Sequence, residues 1–233
     1  MKNIVIKLTF IRHGEVPANK EKRYIGRTDE DLSNDGILEL KKLYSTHKFG
    51  KIDYLFCSPM LRCRRTCDIL FPNVPYTIID EFTEMNFGKF EMKNYNDLKN
   101  DTYYQKWIDS NGTLPFPDGE SQSQFISRCM SGFDKMIKYI FNSISSGVDV
   151  DNEIINDNSK FDLIVACRSD SKKCEDSYSL SANIEFAEIN VACVVHGGTI
   201  MAIMSTLENG NYYDYQVKNG ESINIKLKVG KKY

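Results

Sequence analysis

Histidine is scarce in this chain: His13, His47 and His196 are the only three among 233 residues. Any histidine-based chemistry must draw on that short set. Net charge is almost absent too, with 30 Lys+Arg against 32 Asp+Glu, which argues against a non-specific nucleic-acid or anionic-membrane binder. No apolar run approaches the roughly 20 residues that span a bilayer. The N-terminal apolar run, residues 4–11, is interrupted by Lys7, leads straight into Arg12-His13 and lacks a small-residue cleavage site. It reads as a buried strand rather than a signal peptide. Disulfides are not expected either. The seven cysteines are odd in number and no secretory context is visible, so free thiols in a cytoplasmic setting are the simpler reading.

What is present is ordinary for a soluble globular protein: 41% hydrophobic and 27% charged residues. The length fits one large α/β domain that can bury a core without staples. Strands are expected at 3–11, 52–57, 76–79, 190–195 and 221–229, where β-branched or alternating apolar residues recur. Helices are expected at 34–47 behind Ser33 as N-cap, and from Ser58-Pro59 (cap and first turn) to about Leu70. Shorter helical pieces fit 94–100 and 101–109, and residues 199–207 look helical. The strongest periodic segment is 121–144, where Phe125, Cys129, Phe133, Met136 and Ile140 mark an amphipathic helix. Residues 142–188, polar apart from a strand-like 161–167, read as an insertion in a single domain spanning 1–233. Alternating strands and helices argue for a mostly parallel sheet.

Ligands of such sheets bind beyond the carboxyl ends of the strands. Three expected strand ends carry unusual polar residues: Arg12-His13-Gly14-Glu15, Ser58-Pro59-Met60-Leu61-Arg62, and His196-Gly197-Gly198. Each of these two histidines is followed by glycine, which permits close backbone approach and positive φ. Two arginines that grip phosphate oxygens beside an imidazole able to act as nucleophile suggest phosphoryl transfer.

These residues carry a family resemblance. Arg12-His13-Gly14-Glu15 with Asn19, the stretch Tyr24-Ile25-Gly26-Arg27-Thr28-Asp29, Ser58-Pro59 with Arg62 and Thr66, Glu84 with Gly88 and Glu91, Gly119-Glu120-Ser121, and His196-Gly197-Gly198 together resemble the histidine phosphatase superfamily. The resemblance covers 4–135 and 189–207. It implies a phosphoglycerate mutase-like, three-layer α/β sandwich whose mostly parallel central sheet is flanked by helices. It also implies His13 as the nucleophile that becomes phosphohistidine, with Arg12, Arg62 and His196 holding the phosphoryl oxygens and Glu84 as proton donor. Asn19, Gly26, Arg27 and Gly197 would contact substrate. No metal and no cofactor are expected, since the arginines supply positive charge.

Other residues invite blander readings. His47, near a helix end, fits a macrodipole contact or plain exposure. Arg64 and Arg65 fit a solvated face, Cys63 and Cys67 small hydrophobes of the core. Cys167 and Cys174 lack partners for a zinc tetrad. Glu15 fits a hydrogen bond within its own loop, and Trp107 a helix anchor rather than a cap on the site.

A mutase needs extra cations for a second phosphate and a carboxylate. Here Met85 follows Glu84, and residues 113–119 contain no basic side chain. The sequence therefore looks like a phosphatase and most resembles the α-ribazole-5′-phosphate phosphatases and their relatives, with mutase-type transfer or a non-catalytic phosphate- or partner-binding module as alternatives. Val16, where the family often has a hydroxyl residue, and the 142–188 insertion are departures. The expected partner is a small phosphomonoester, not nucleic acid or membrane, with the chain a monomer or homodimer.

Overall fold

The computed structural model describes residues 3–46, 49–145, 161–168 and 186–231. In chain order its main elements are β1 (Asn3–Arg12), α1 (Pro17–Lys20), α2 (Asn34–Thr46), β2 (Tyr54–Cys57), α3 (Leu61–Leu70) and β3 (Thr77–Ile78). There follow α4 (Tyr95–Leu98), α5 (Thr102–Asp109), α6 (Gln122–Ser145), β4 (Phe161–Arg168), β5 (Phe186–Val195), α7 (Gly197–Glu208) and β6 (Ser222–Lys231). The strands form a six-stranded sheet in the order β3-β2-β5-β1-β6-β4. β1, β2, β3 and β5 run parallel, and β6 is antiparallel to both β1 and β4. The mostly parallel α/β architecture expected from the sequence is the one observed.

Strand periodicity divides the core into two layers. Ile6, Leu8 and Phe10 of β1, with Val191, Cys193 and Val195 of β5, face one side and pack with α6 and α7. Ile11, Ala192 and Val194 face the other, where residues of α2 and α3 cover them. A parallel sheet with both faces covered needs nearly continuous apolar strands, and β5 shows why 190–195 reads so clearly. α6 buries Phe125, Cys129, Phe133, Met136 and Ile140 at no more than 1% exposure each, so its apolar stripe is the wall of the larger core.

Several boundaries differ from expectation. The expected insertion is shorter at both ends, since α6 runs on to Ser145 and β5 begins at Phe186, and β4 forms an edge strand within it; residues 146–160 and 169–185, with Cys174, lie outside the described residues, as does His47. α3 begins at Leu61 behind Met60, without a side-chain cap. Ser58, expected as the cap, turns its hydroxyl elsewhere, with consequences described below. Cys57, Cys63, Cys67, Cys129 and Cys193 are buried free thiols. Among the described residues no helix is long and apolar enough to cross a membrane.

Candidate active site

Sheet register builds the site. Arg12 pairs with Val195, and both Ile11 of β1 and Cys57 of β2 pair with Val194 of β5. The three strands thus end at one level, and the next residue of each is His13, His196 and Ser58. Backbone bonds hold them there: the His13 N–H donates to Val195 O at 2.9 Å and the Ser58 N–H to Val194 O at 3.0 Å. The rings of His13 and His196 meet edge-on with centroids 5.1 Å apart.

Hydrogen bonds assign the imidazole tautomers. His13 Nδ1 donates to the carbonyl of Gly14 at 2.7 Å, so its proton is on Nδ1 and the Nε2 lone pair is left unengaged by any described residue. His196 is the reverse. Its Nδ1 accepts from Arg62 Nε at 3.3 Å, and its Nε2 donates to Ser58 Oγ at 2.8 Å. Both nitrogens of His196 are therefore occupied by protein, which differs from the expectation that this ring contacts a phosphoryl oxygen directly. Arg62 is fully buried; its Nη1 and Nη2 donate to the carbonyls of Thr28 and Gly26, each at 2.9 Å. Arg12 donates from Nη1 to Val217 O at 2.8 Å, while its buried Nε has no partner.

Among the described residues no carboxylate lies within 4.0 Å of either guanidinium. Glu84 and Glu221 act on Arg12 only from beyond contact, and two half- or fully buried cations without a contacting anion are costly unless a ligand supplies one. α7 starts at Gly197, so its N-terminal partial positive charge adds to the same field. Burial, then the fields of Arg62 and Arg12, hold His13 well below the ordinary imidazole range. His196 is lowered by the same causes. His13 is thus a neutral imidazole over the physiological range.

Glu84 behaves oppositely. Burial raises its pKa, although the Met85 N–H, 2.9 Å from Oε1, and the two arginines pull the other way. Its segment is fixed by Arg128 of α6. That side chain donates from Nη1 to the carbonyls of Glu81 and Thr83 at 2.8 and 2.7 Å. Through Nε and Nη2 it grips Glu120 at 2.8 and 2.7 Å. None of Gly14, Gly197 and Gly198 has positive φ; what the site uses is the missing side chain. A Cβ on Gly198 would stand 2.4 Å from Glu84 Oε1.

A cavity of about 310 Å³ opens above these groups, and Arg12, Asn19, Glu84, Gly197 and Gly198 line it. His13, Arg62 and His196 are buried behind that lining. Gly26 and Arg27 do not line it. Gly26 is buried, where a Cβ would lie 1.9 Å from Met85 O, and it serves as acceptor for Arg62. Arg27 is half-exposed and its Nη2 lies 3.8 Å from Glu120. Glu15 accepts from Ser33 Oγ at 2.9 Å, and that oxygen in turn accepts from Gly36 N–H at the start of α2.

Three contributors went unnoticed in the sequence or were assigned elsewhere. Asn219, in the loop before β6, donates from Nδ2 to His13 O at 3.1 Å, Gly14 O at 3.4 Å and Asn19 Oδ1 at 3.1 Å. Ser58 orients His196 instead of capping α3. Trp107 lines the cavity as well as stacking on Tyr104, so anchoring is only part of its contact.

Residues 8–139 match the family model described as the histidine phosphatase superfamily (branch 1). The chain belongs to that superfamily. Its curated relatives include the adenosylcobalamin/alpha-ribazole phosphatase of Salmonella typhimurium, 31% identical over 128 residues, 53% of this chain and 63% of the relative. The match therefore spans less than two thirds of that relative's length. Among solved structures, the alpha-ribazole phosphatase of Shigella flexneri superposes with a TM-score of 0.64 at 21% identity, covering 93% of this chain and 88% of that one. A phosphoglycerate mutase from Thermus thermophilus gives a TM-score of 0.57 at 20% identity, covering 94% and 91%. At these identities the superpositions establish the fold of the superfamily.

Proposed function

We propose that this member of the superfamily is a phosphomonoester hydrolase that works through a phosphohistidine. The observation that carries the reading is the neutral His13 ring, tautomerised by Gly14 O so that Nε2 is free, set beside Arg12 and Arg62 and next to the cavity that Arg12 and the raised-pKa Glu84 line. His13 Nε2 attacks phosphorus; the N–P bond forms as the bond to the leaving oxygen breaks. Glu84 donates its proton to that oxygen, then as carboxylate takes a proton from the water that attacks phosphorus and breaks the N–P bond. Arg12 and Arg62 stabilise the charge on the transferring group without a metal. His196 keeps Arg62 aligned. Water rather than a second hydroxyl is the final acceptor. The likeness to the Salmonella relative makes α-ribazole 5′-phosphate the first substrate to try.

The test is phosphate release from a panel of phosphomonoesters in EDTA, with acid-quenched samples examined for a phosphoenzyme. Turnover with an acid-labile, base-stable adduct that His13→Ala lacks is the expected result. Activity retained in His13→Ala, or interconversion of phosphoglycerates dependent on a bisphosphate primer, would overturn the proposal.

A further inference from the structure

Six aromatic side chains, Tyr24, Phe87, Trp107, Phe116, Tyr212 and Tyr213, line the same cavity as Arg12 and Glu84. Tyr24, Phe87, Trp107 and Phe116 form one cluster of tilted and edge-on contacts, and Tyr212 and Tyr213 form an edge-on pair. Tyr24 meets Phe87 at 5.3 Å, Trp107 at 6.1 Å and Phe116 at 6.1 Å between centroids, and Tyr212 meets Tyr213 at 5.2 Å. Such a wall is far richer in aromatic surface than gripping a phosphate requires. The indole Nε1 of Trp107 is buried and unpartnered. Trp107 therefore meets the cavity through its ring surface rather than through an accessible N–H. Burial raises the Tyr24 and Tyr212 phenols above their ordinary range, so both remain uncharged.

Charge points the same way. Among the described residues, the only basic side chain of the lining beyond Arg12 is Arg23, and it is already committed to Glu21 at 2.5 Å, Asp97 at 2.9 Å and Met92 O at 2.6 Å. No described side chain of the wall is left to balance a second phosphate or a carboxylate. The volume of about 310 Å³ sits at the small end of ligand pockets, enough for a phosphoryl group and one compact ring system.

Building on the hydrolase reading, we propose that this aromatic wall is a leaving-group subsite. It selects phosphomonoesters whose alcohol carries a planar aromatic ring and no second anionic group. Stacking and edge contacts of this kind tolerate different rings, so the subsite reads planarity and charge more than one chemical identity.

Matched pairs test it: a nucleoside 5′-monophosphate against ribose 5-phosphate, and benzyl phosphate against ethyl phosphate. Within each pair the leaving oxygen is an alkoxide of similar basicity, so the difference reports binding of the ring. The ring-bearing member is expected to have about 10- to 100-fold higher kcat/KM, in line with one to three kcal/mol for a base–aromatic contact. Trp107→Ala, which removes the indole from the wall, is expected to shrink both preferences, and Trp107→Phe, which keeps one smaller ring, to shrink them less. Trp107 is the sole tryptophan, so its fluorescence provides a readout independent of turnover. In His13→Ala the free nucleoside should change it saturably, and ribose should not.

Equal kcat/KM within each pair together with unchanged fluorescence would overturn the subsite while leaving the hydrolase intact. Saturable binding of the nucleoside with no hydrolysis of any ester would support the subsite and sink the hydrolase reading instead.

Discussion

Arg62 donates from Nε to Nδ1 of His196 at 3.3 Å, and both side chains are fully buried. The planar fork of Arg62 satisfies two further acceptors, Thr28 O and Gly26 O. A lysine would keep the charge but cannot fill three divergent acceptors from one point. Arg62→Lys is therefore expected to lower kcat by about 10²–10³. The acceptors left unsatisfied should cost about 1–3 kcal/mol of stability. Phosphate release and urea denaturation measure the two effects; near-native turnover in Arg62→Lys would show that charge alone suffices.

The pH profile follows from opposed shifts. Nucleophilic attack requires neutral His13, and leaving-group protonation requires protonated Glu84. With ordinary values, histidine near 6.5 and glutamate near 4.3, those states would scarcely coexist. Burial lowers one and raises the other, which enlarges the fraction of enzyme holding both required states at once. The acid limb of kcat/KM should lie below 6.5 and the alkaline limb above the ordinary carboxylate range. Glu84→Gln should abolish the alkaline limb. With an aryl phosphate, whose leaving group needs little protonation, it should still give a burst of one equivalent and then stall as phosphoenzyme. A burst-free, evenly slowed reaction would remove Glu84 from the proton-transfer role.

The same shifts govern stability. His13 and His196 bind fewer protons folded than unfolded, so stability falls as pH drops below about 6.5 toward their folded values. Glu84 binds more protons folded, so its contribution is present at low pH and is lost as pH rises through its folded pKa. Glu84→Gln should accordingly gain stability relative to the parent above that pH. Urea melts across pH 4–8 would reveal it as a flatter profile on the alkaline side.

Gly198→Ala separates catalysis from folding. Gly198 lies in the first turn of α7 without positive φ, so alanine meets no backbone penalty and has the better helix propensity by up to about 1 kcal/mol. Its Cβ would nevertheless stand 2.4 Å from Glu84 Oε1 and 3.1 Å from Phe125. Glu84 must move, and kcat is expected to fall about 10- to 100-fold, as for a displaced acid–base group, with much less effect on the melting temperature. A large loss of stability with intact kcat would locate the strain in the Phe125 core instead.

How far the sequence could be read is clear from particular residues. Period-two strands and the period-3.6 stripe of α6 exposed both core layers, and three strands of similar character ending in polar residues placed His13, Arg62 and His196 at one edge. Side-chain destinations were harder. Ser58-Pro59 has the local chemistry of a helix start, yet the His196 ring, 138 positions away, competes for the hydroxyl and wins. Arg128 follows a core-facing phenylalanine by three positions and reads as helix surface until Glu120 and the Thr83 carbonyl are placed beside it. Local pattern reports which face a residue occupies, not which distant group meets it there.

Asn219 is the extreme case, an asparagine of a polar loop 206 positions from His13. Its Nδ2 holds His13 O, Asn19 Oδ1 and, at longer range, the Gly14 carbonyl that fixes the His13 tautomer. We expect it to act as a positioning residue. Asn219→Ala should lower kcat about 10-fold, typical of a misaligned reacting group, with little change in KM. Asn219→Asp turns a donor into a carboxylate facing three acceptors and places negative charge near the ring. It should lower kcat further and move the acid limb of kcat/KM upward by about one unit, because a nearby anion favours the imidazolium. A purely structural role would reduce active protein in both variants and leave the limb where it is. The titration of kcat/KM, normalised to the phosphoenzyme burst, decides between them.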